Sequence, residues 1–258
     1  MSFKQIRIVL LLLILAMVVH HQVTGKARVT SWQSALFVAI YPVNADGSRA
    51  AEDYIATLQQ RDFQPLAEYM RDQARRHGVT LDRPLYLELG QSPAGAPPAP
   101  PDNAGVLNRS AWVLRMRWWR WRFDDQGLKP DIVLIARYFD PEVYRQLPHS
   151  TGLEHVRVAI ANLFAKPDMA DQNLVVLTHE MLHTLGATDK YDPATDLPLY
   201  PDGYAAPDQS PRHPQRQAEI MAGRRAVSPT EAEQAESLRN TLVGPKTAAE
   251  IGWTGAVR

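Results

Sequence analysis

The chain has no cysteine among its 258 residues, which excludes disulfides and leaves histidine and the carboxylates to hold any metal ion. It has no excess of either charge, with 28 basic against 28 acidic residues, so composition gives no pull toward nucleic acid or another polyanion. Long apolar runs are also missing. The longest, Ile8 to Val19, has twelve residues where a membrane crossing needs about twenty. Lys4 and Arg7 precede it and His20-His21-Gln22 follow, which is the shape of a signal sequence or short signal anchor. Gln22-Val23-Thr24-Gly25-Lys26-Ala27 offers no clean A-x-A cleavage site, and this favours an uncleaved anchor in the inner membrane. The expected division is therefore residues 1–30 as signal sequence or anchor, and residues 31–258 as one domain outside the cytoplasm, periplasmic or extracellular.

What the chain does have is His179-Glu180-Met181-Leu182-His183-Thr184-Leu185-Gly186-Ala187-Thr188-Asp189. On a helix, residues four apart stack on one face, so His179 and His183 can grip one metal ion from the same side. Glu180 then leans over the ion's open position, where it can take a proton from a water molecule. Gly186 can adopt a positive φ, end the helix and turn the chain, so that Asp189 returns as a third ligand. The preceding Leu174-Val175-Val176-Leu177 would bury that helix. The spacing reads as a zinc hydrolase site.

The pattern HExxHxxGxxD resembles that of the metzincin zinc endopeptidases, in the variant where aspartate replaces the third histidine, as in the snapalysins. The family also has a methionine turn beneath the metal, and Glu219-Ile220-Met221-Ala222-Gly223 is similar to it. The resemblance implies Zn2+ as cofactor, His179, His183 and Asp189 as its ligands, Glu180 as general base and Met221 as the turn residue. Some metzincins place a tyrosine two residues after that methionine, and here the position is Gly223. The oxyanion stabiliser is thus open, with Tyr191, Tyr200 and Tyr204 in the intervening loop. Stretches such as Tyr41 to Gly47 and Gly186 to Asp192 are also similar to uncharacterised bacterial membrane-anchored peptidases. The absence of cysteine excludes the cysteine-based latency switch of some family members. Glu219, Asp192 and His213 are the alternative third ligands, Glu219 by likeness to the gluzincins.

Elsewhere, Ala35 to Tyr41 reads as a buried strand closed by Pro42 and a turn at Asn44 to Gly47. Ser48 caps a helical region to about His77, with Pro65 breaking it or starting a second helix and Gly78 stopping it. Leu85 to Leu89, Trp112 to Phe123, Ile132 to Phe139 and Val156 to Leu163 read as strands. The proline-rich Ser92 to Pro101 reads as an extended loop. The metal helix runs from about Gln172 to Leu185, and Ser228-Pro229-Thr230-Glu231 opens a last helix to about Asn240. This order is similar to that of the metzincins, and the resemblance implies an α+β, metzincin-like fold: a twisted mixed β-sheet, an active-site helix, a Met-turn and a C-terminal helix.

Two segments carry competing readings. Trp112 to Phe123 interleaves four tryptophans with four arginines. It fits a strand with a basic outer face, a membrane-surface contact or a nucleobase-stacking site. His149, Ser150 and His155 suggest a hydrolase triad but have no nucleophile elbow, so they read as polar loop residues. The function expected is a zinc-dependent endopeptidase acting on a polypeptide substrate laid along an edge strand near Val156 to Leu163, with the membrane met through the amino-terminal segment and no nucleic-acid partner. The alternatives are a noncatalytic zinc-stabilised envelope scaffold or partner-binding protein, and an amidase acting on cell-wall peptide.

Overall fold

Three apolar runs are buried on both faces, as strands at the centre of a parallel sheet must be. They are β1 (Leu36–Asn44), β3 (Ile132–Phe139) and β5 (Val158–Phe164), and with β2 (Leu85–Leu89) and β4 (Thr151–Leu153) they form one sheet of order β2-β1-β3-β5-β4. β2, β1, β3 and β5 run parallel, and β4 closes one edge antiparallel to β5. In this computed structural model the described residues are 28–93, 95–99, 101 and 105–254, with Gln5, Arg7, Ile8, Val9 and Leu12. The expected anchor therefore lies almost wholly outside the described residues. No helix among those described is long and apolar enough to cross a membrane.

Helices cover both faces of the sheet. On one face, Val38, Ile40, Leu134, Ala136, Ala161 and Leu163 pack with α1 (Arg49–Thr57), α2 (Gln64–Arg76) and α4 (Ala170–Thr184). On the other, Ala39, Tyr41, Val133, Ile135, Val158 and Ile160 meet Trp112 and Met116 of α3 (Val106–Arg122). The architecture is thus mixed α/β around a mixed sheet, compatible with the α+β expectation. α4 buries Leu174, Val175, Leu177, Met181 and Leu182, each worth about 1.5–3 kcal/mol of apolar transfer. The Asn173 side chain fixes its register by pairing with both the N–H and the carbonyl of Phe164, at 3.1 and 2.9 Å. The helix that carries the histidines is thereby tied to the end of β5.

Four expectations are corrected. Trp112 to Phe123 is helix and not strand, because Trp112, Met116, Trp119 and Phe123 pack inward at helical spacing while Leu114 and Trp118 face solvent. The segment after Ser228 is no helix: β6 (Arg224–Ala226) pairs antiparallel with β7 (Ala232–Gln234), and the Val227 and Ser228 N–H groups both donate to the Glu231 carbonyl to close the hairpin. The closing helix is instead α5 (Pro245–Glu250). β5 is also not an edge strand, since β4 covers it. Finally, Pro42 does not end β1; the carbonyl of Ile40 still pairs with Gly90 on the β2 side, and Pro42, two residues on, turns its missing N–H past the end of β2.

The break in the 48–77 region falls at Leu58 and Gln59, and Pro65 stands in the first turn of α2 as expected. Ser48 caps α1 by accepting from Ala51 N–H, and Gly78 follows α2 at φ +82°.

Candidate metal centre

α4 ends where the sequence asks it to end. Gly186 takes φ +101°, its N–H donates to the His183 carbonyl, and the Ala187 N–H reaches back to Leu182. This cap reverses the chain within three residues and returns Asp189 to the histidines. Asp189 Oδ1 lies 3.1 Å from His179 Nε2 and 3.2 Å from His183 Nε2, and the two Nε2 atoms are 3.1 Å apart. The three donors form a nearly equilateral triangle.

The rings are oriented from behind. His179 Nδ1 lies 3.0 Å from the Ile220 carbonyl and His183 Nδ1 lies 2.8 Å from the Ala187 carbonyl. A carbonyl only accepts, so each Nδ1 carries the hydrogen, and in the neutral ring each Nε2 turns a lone pair inward. Two ring nitrogens and a carboxylate oxygen converging on one point call for positive charge there, supplied by a bound cation or, without one, by a proton on His179. A divalent ion bonded at about 2.0–2.2 Å in tetrahedral geometry holds its donors roughly 3.3–3.6 Å apart, so opening the triangle by a few tenths of an ångström admits one. With Glu180, the two histidines form a group that could hold a metal ion.

The same convergence sets the protonation of the metal-free site. Burial pulls the His179 imidazole down, but the Asp189 hydrogen bond, the Glu180 charge and the Ile220 carbonyl outweigh it and raise its pKa to about 9. Burial pushes the Asp189 carboxyl up, yet its bonds to both histidines hold it well below the usual carboxylate range. Glu180 is buried and raised chiefly by desolvation, with the histidine charges opposing. Its Oε2 finds no hydrogen-bond partner among the described residues. A buried carboxylate oxygen without a donor is uncommon and marks a place where a proton or a ligand atom belongs.

Glu219 is no ligand. Its carboxylate, fully buried, accepts from the Met221 and Ala222 N–H groups at 2.6 and 3.2 Å, and from the Gly244 N–H and Thr247 hydroxyl at 3.1 and 2.7 Å. These bonds shape the 219–223 turn and so aim the Ile220 carbonyl at His179. Met221 is itself buried, and its carbonyl accepts from Lys190 N–H at 3.0 Å. Asp192 caps its own turn by accepting from Ala194 N–H, and His213 pairs with the Tyr204 hydroxyl, so neither serves the triangle.

No family model matches this chain, and no curated protein does. What the site can do rests on its geometry.

A cleft of about 420 Å³ opens beside the donors, lined by His179, Glu180, His149, Ser150, Tyr191 and Arg224 among others. Of the three loop tyrosines only Tyr191 reaches it; burial and the charges of Asp189 and Glu180 push its phenol up, so it remains a hydrogen-bond donor at neutral pH. Tyr200 is half exposed beneath Arg212. His149 and Ser150 reach the cleft as well, but the Ser150 hydroxyl accepts from Asn162 N–H, and His155 is exposed outside the cleft, so no triad forms.

Two residues escaped the sequence reading. Lys190 is buried, and its ammonium donates at 2.7 Å to the Thr188 carbonyl, the Thr188 hydroxyl and Glu250. Glu250 in turn accepts from the Thr188 N–H and hydroxyl at 3.0 and 2.8 Å. Burial opposes its charge, but Lys190 and Thr188 win and hold its carboxyl low. Asp189 therefore sits between two anchored neighbours. Lys190 adjoins the motif, which is the one signal available; nothing in the sequence marks Glu250.

Proposed function

We propose that the chain is a zinc-dependent endopeptidase of the metzincin type, with His179, His183 and Asp189 as zinc ligands, Glu180 as general base and Met221 as the Met-turn residue. The observation that carries the reading is the pairing of three converging donors with one buried, unpartnered carboxylate oxygen on the cleft side. A closed structural site would complete its fourth position with a protein ligand and would have no use for a free carboxylate. When bound, the ion supplies Lewis acidity and brings the pKa of a coordinated water to about 7.

The chain's own residues supply the rest. Glu180, its carboxyl raised by burial, can accept a proton from water and pass it to the leaving amine. Tyr191 can donate to the oxygen on which negative charge develops. The outer edge of β4 offers unpaired backbone groups on which an extended peptide can add as a further strand, and this replaces β5 as the expected substrate edge. In this reading the apolar run from Ile8 to Val19 tethers the catalytic domain outside the cytoplasm.

Glu180→Gln tests the proposal directly. It should keep one equivalent of zinc and lower kcat on a casein-derived peptide library by about 10²–10⁴-fold. Undiminished cleavage would remove Glu180 from its role. A parent protein that holds zinc yet cleaves no peptide would instead favour a zinc-stabilised scaffold.

A further inference from the structure

The face of α3 turned away from the sheet has a use that the metal centre does not explain. Leu107, Leu114, Trp118 and Trp121 are 85, 67, 58 and 81% exposed, which is unusual for side chains of this size on one helix. At 100° per residue they project within about 40° of a common direction, along roughly 21 Å of axis. The opposite side, through Trp112, Met116, Trp119 and Phe123, is already occupied by the sheet. Arginines flank the stripe: Arg115 and Arg122 on one side, Arg117 on the other. The helix carries five arginines and no acidic residue, and Asp124 and Asp125 come only after its end.

We infer that this stripe is a docking surface for an anionic lipid bilayer, with the leucine and tryptophan side chains at the headgroup boundary and the arginines on lipid phosphates. Tryptophan prefers that layer because its ring is apolar and its N–H is polar, and arginine can extend its charged end outward from a buried stem. A second copy of the chain fits poorly, since pairing this face with itself would set arginines against arginines. Nucleic acid shares the charge requirement, but the stripe's two leucines offer it nothing, and the Trp118 ring already lies 4.9 Å under the Arg122 guanidinium. The stripe is straight and convex, which suits a flat partner. An apolar run from Ile8 to Val19 in the same chain is a second feature suited to a bilayer.

The test uses the full chain with vesicles of phosphatidylglycerol and phosphatidylcholine, or phosphatidylcholine alone, each containing acyl-brominated phosphatidylcholine. Bromine near the headgroups should quench the exposed tryptophans on anionic vesicles. The R115E/R117E/R122E variant, which keeps Trp118 and Trp121 as reporters, should lose at least fivefold of that quenching, since each arginine near an anionic surface is worth about fivefold in affinity. L107S/L114S should also lose it. Trypsin cleavage after Arg115 and Arg117 of the parent should slow severalfold on anionic vesicles, a readout that needs no variant to fold. Equal quenching in parent and arginine variant, or equal quenching on neutral vesicles, would overturn the inference and leave the amino-terminal run as the membrane contact. Quenching by a single-stranded oligonucleotide but not by vesicles would overturn it in favour of nucleic acid, and concentration-dependent dimerisation without vesicle quenching in favour of self-association.

Discussion

His179 and Ile220, 41 residues apart, are joined by a hydrogen bond of 3.0 Å from the ring Nδ1 to the backbone carbonyl. That bond fixes the tautomer of a candidate ligand, and the buried Glu219 carboxylate in turn fixes the carbonyl. Supports of this kind behind metal ligands commonly carry 10–100-fold of metal affinity.

Glu219→Ala should therefore be felt twice. It strips the acceptor from four buried donors, for a cost of at least about 3 kcal/mol. It should also weaken divalent metal binding by roughly 10–100-fold through the freed His179 ring. Urea denaturation and chelator competition measure the two effects separately. A variant with parental metal affinity would show that the turn holds without its carboxylate.

The metal-free and metal-loaded forms should respond to pH with opposite slopes. In the metal-free fold the His179 pKa stands at about 9 against an ordinary value near 6.5, so its stabilisation is complete below about 6.5 and is lost as pH rises through about 9. The expected loss is roughly 1–3 kcal/mol, since the ring is largely buried and shares its proton with Asp189. A metal ion competes with that proton, so metal affinity should climb over the same interval. Thermal melts in chelator and in saturating zinc, taken from pH 6 to 9.5, check both directions.

Lys190→Met removes the cation from a buried pair and leaves Glu250 facing the Thr188 backbone without its partner. A cost of about 3–5 kcal/mol is expected, as for other buried pairs broken from one side. The double variant Lys190→Met/Glu250→Gln should recover part of it, because no unpaired charge remains. Denaturation of the single and double variants decides this.

At Gly152 in β4 a Cβ atom would fall 2.3 Å from the Glu180 carbonyl oxygen and 2.4 Å from His183 Cβ. The edge strand thus rests directly on the helix of the histidines. Gly152→Ala should push β4 and α4 apart, at about 1–3 kcal/mol in stability, and raise KM for peptides more than it lowers zinc content. Metal analysis beside steady-state kinetics separates a displaced strand from a damaged ion site.

The parts of the site legible in the sequence are those whose geometry is local. His179 and His183 share a face because four residues make about one helical turn, and Gly186 signals the reversal that brings back Asp189. β1, β3 and β5 are legible because burial on both faces requires unbroken apolar runs. Glu250 reaches Lys190 across 60 residues, and its exposed-looking sequence context carries no trace of that contact. Trp112 to Phe123 satisfied two periods at once: positions 112, 114, 116 and 118 alternate, while 112, 116, 119 and 123 recur helically. The sheet's far face selected the second set, a choice made by tertiary packing. Ser228 to Glu231 has capping-box chemistry, but the same Ser and Glu serve a hairpin turn, and pairing of β6 with β7 decided between them.

The placement of α3 and α4 on opposite faces of one sheet has a steric consequence. Helix layers on either side of a sheet stand roughly 20 Å apart, so a broad body resting on the tryptophan side casts no shadow over the ion-binding side. A large folded polypeptide could then reach the cleft beside His179 even while the opposite side of the molecule is covered.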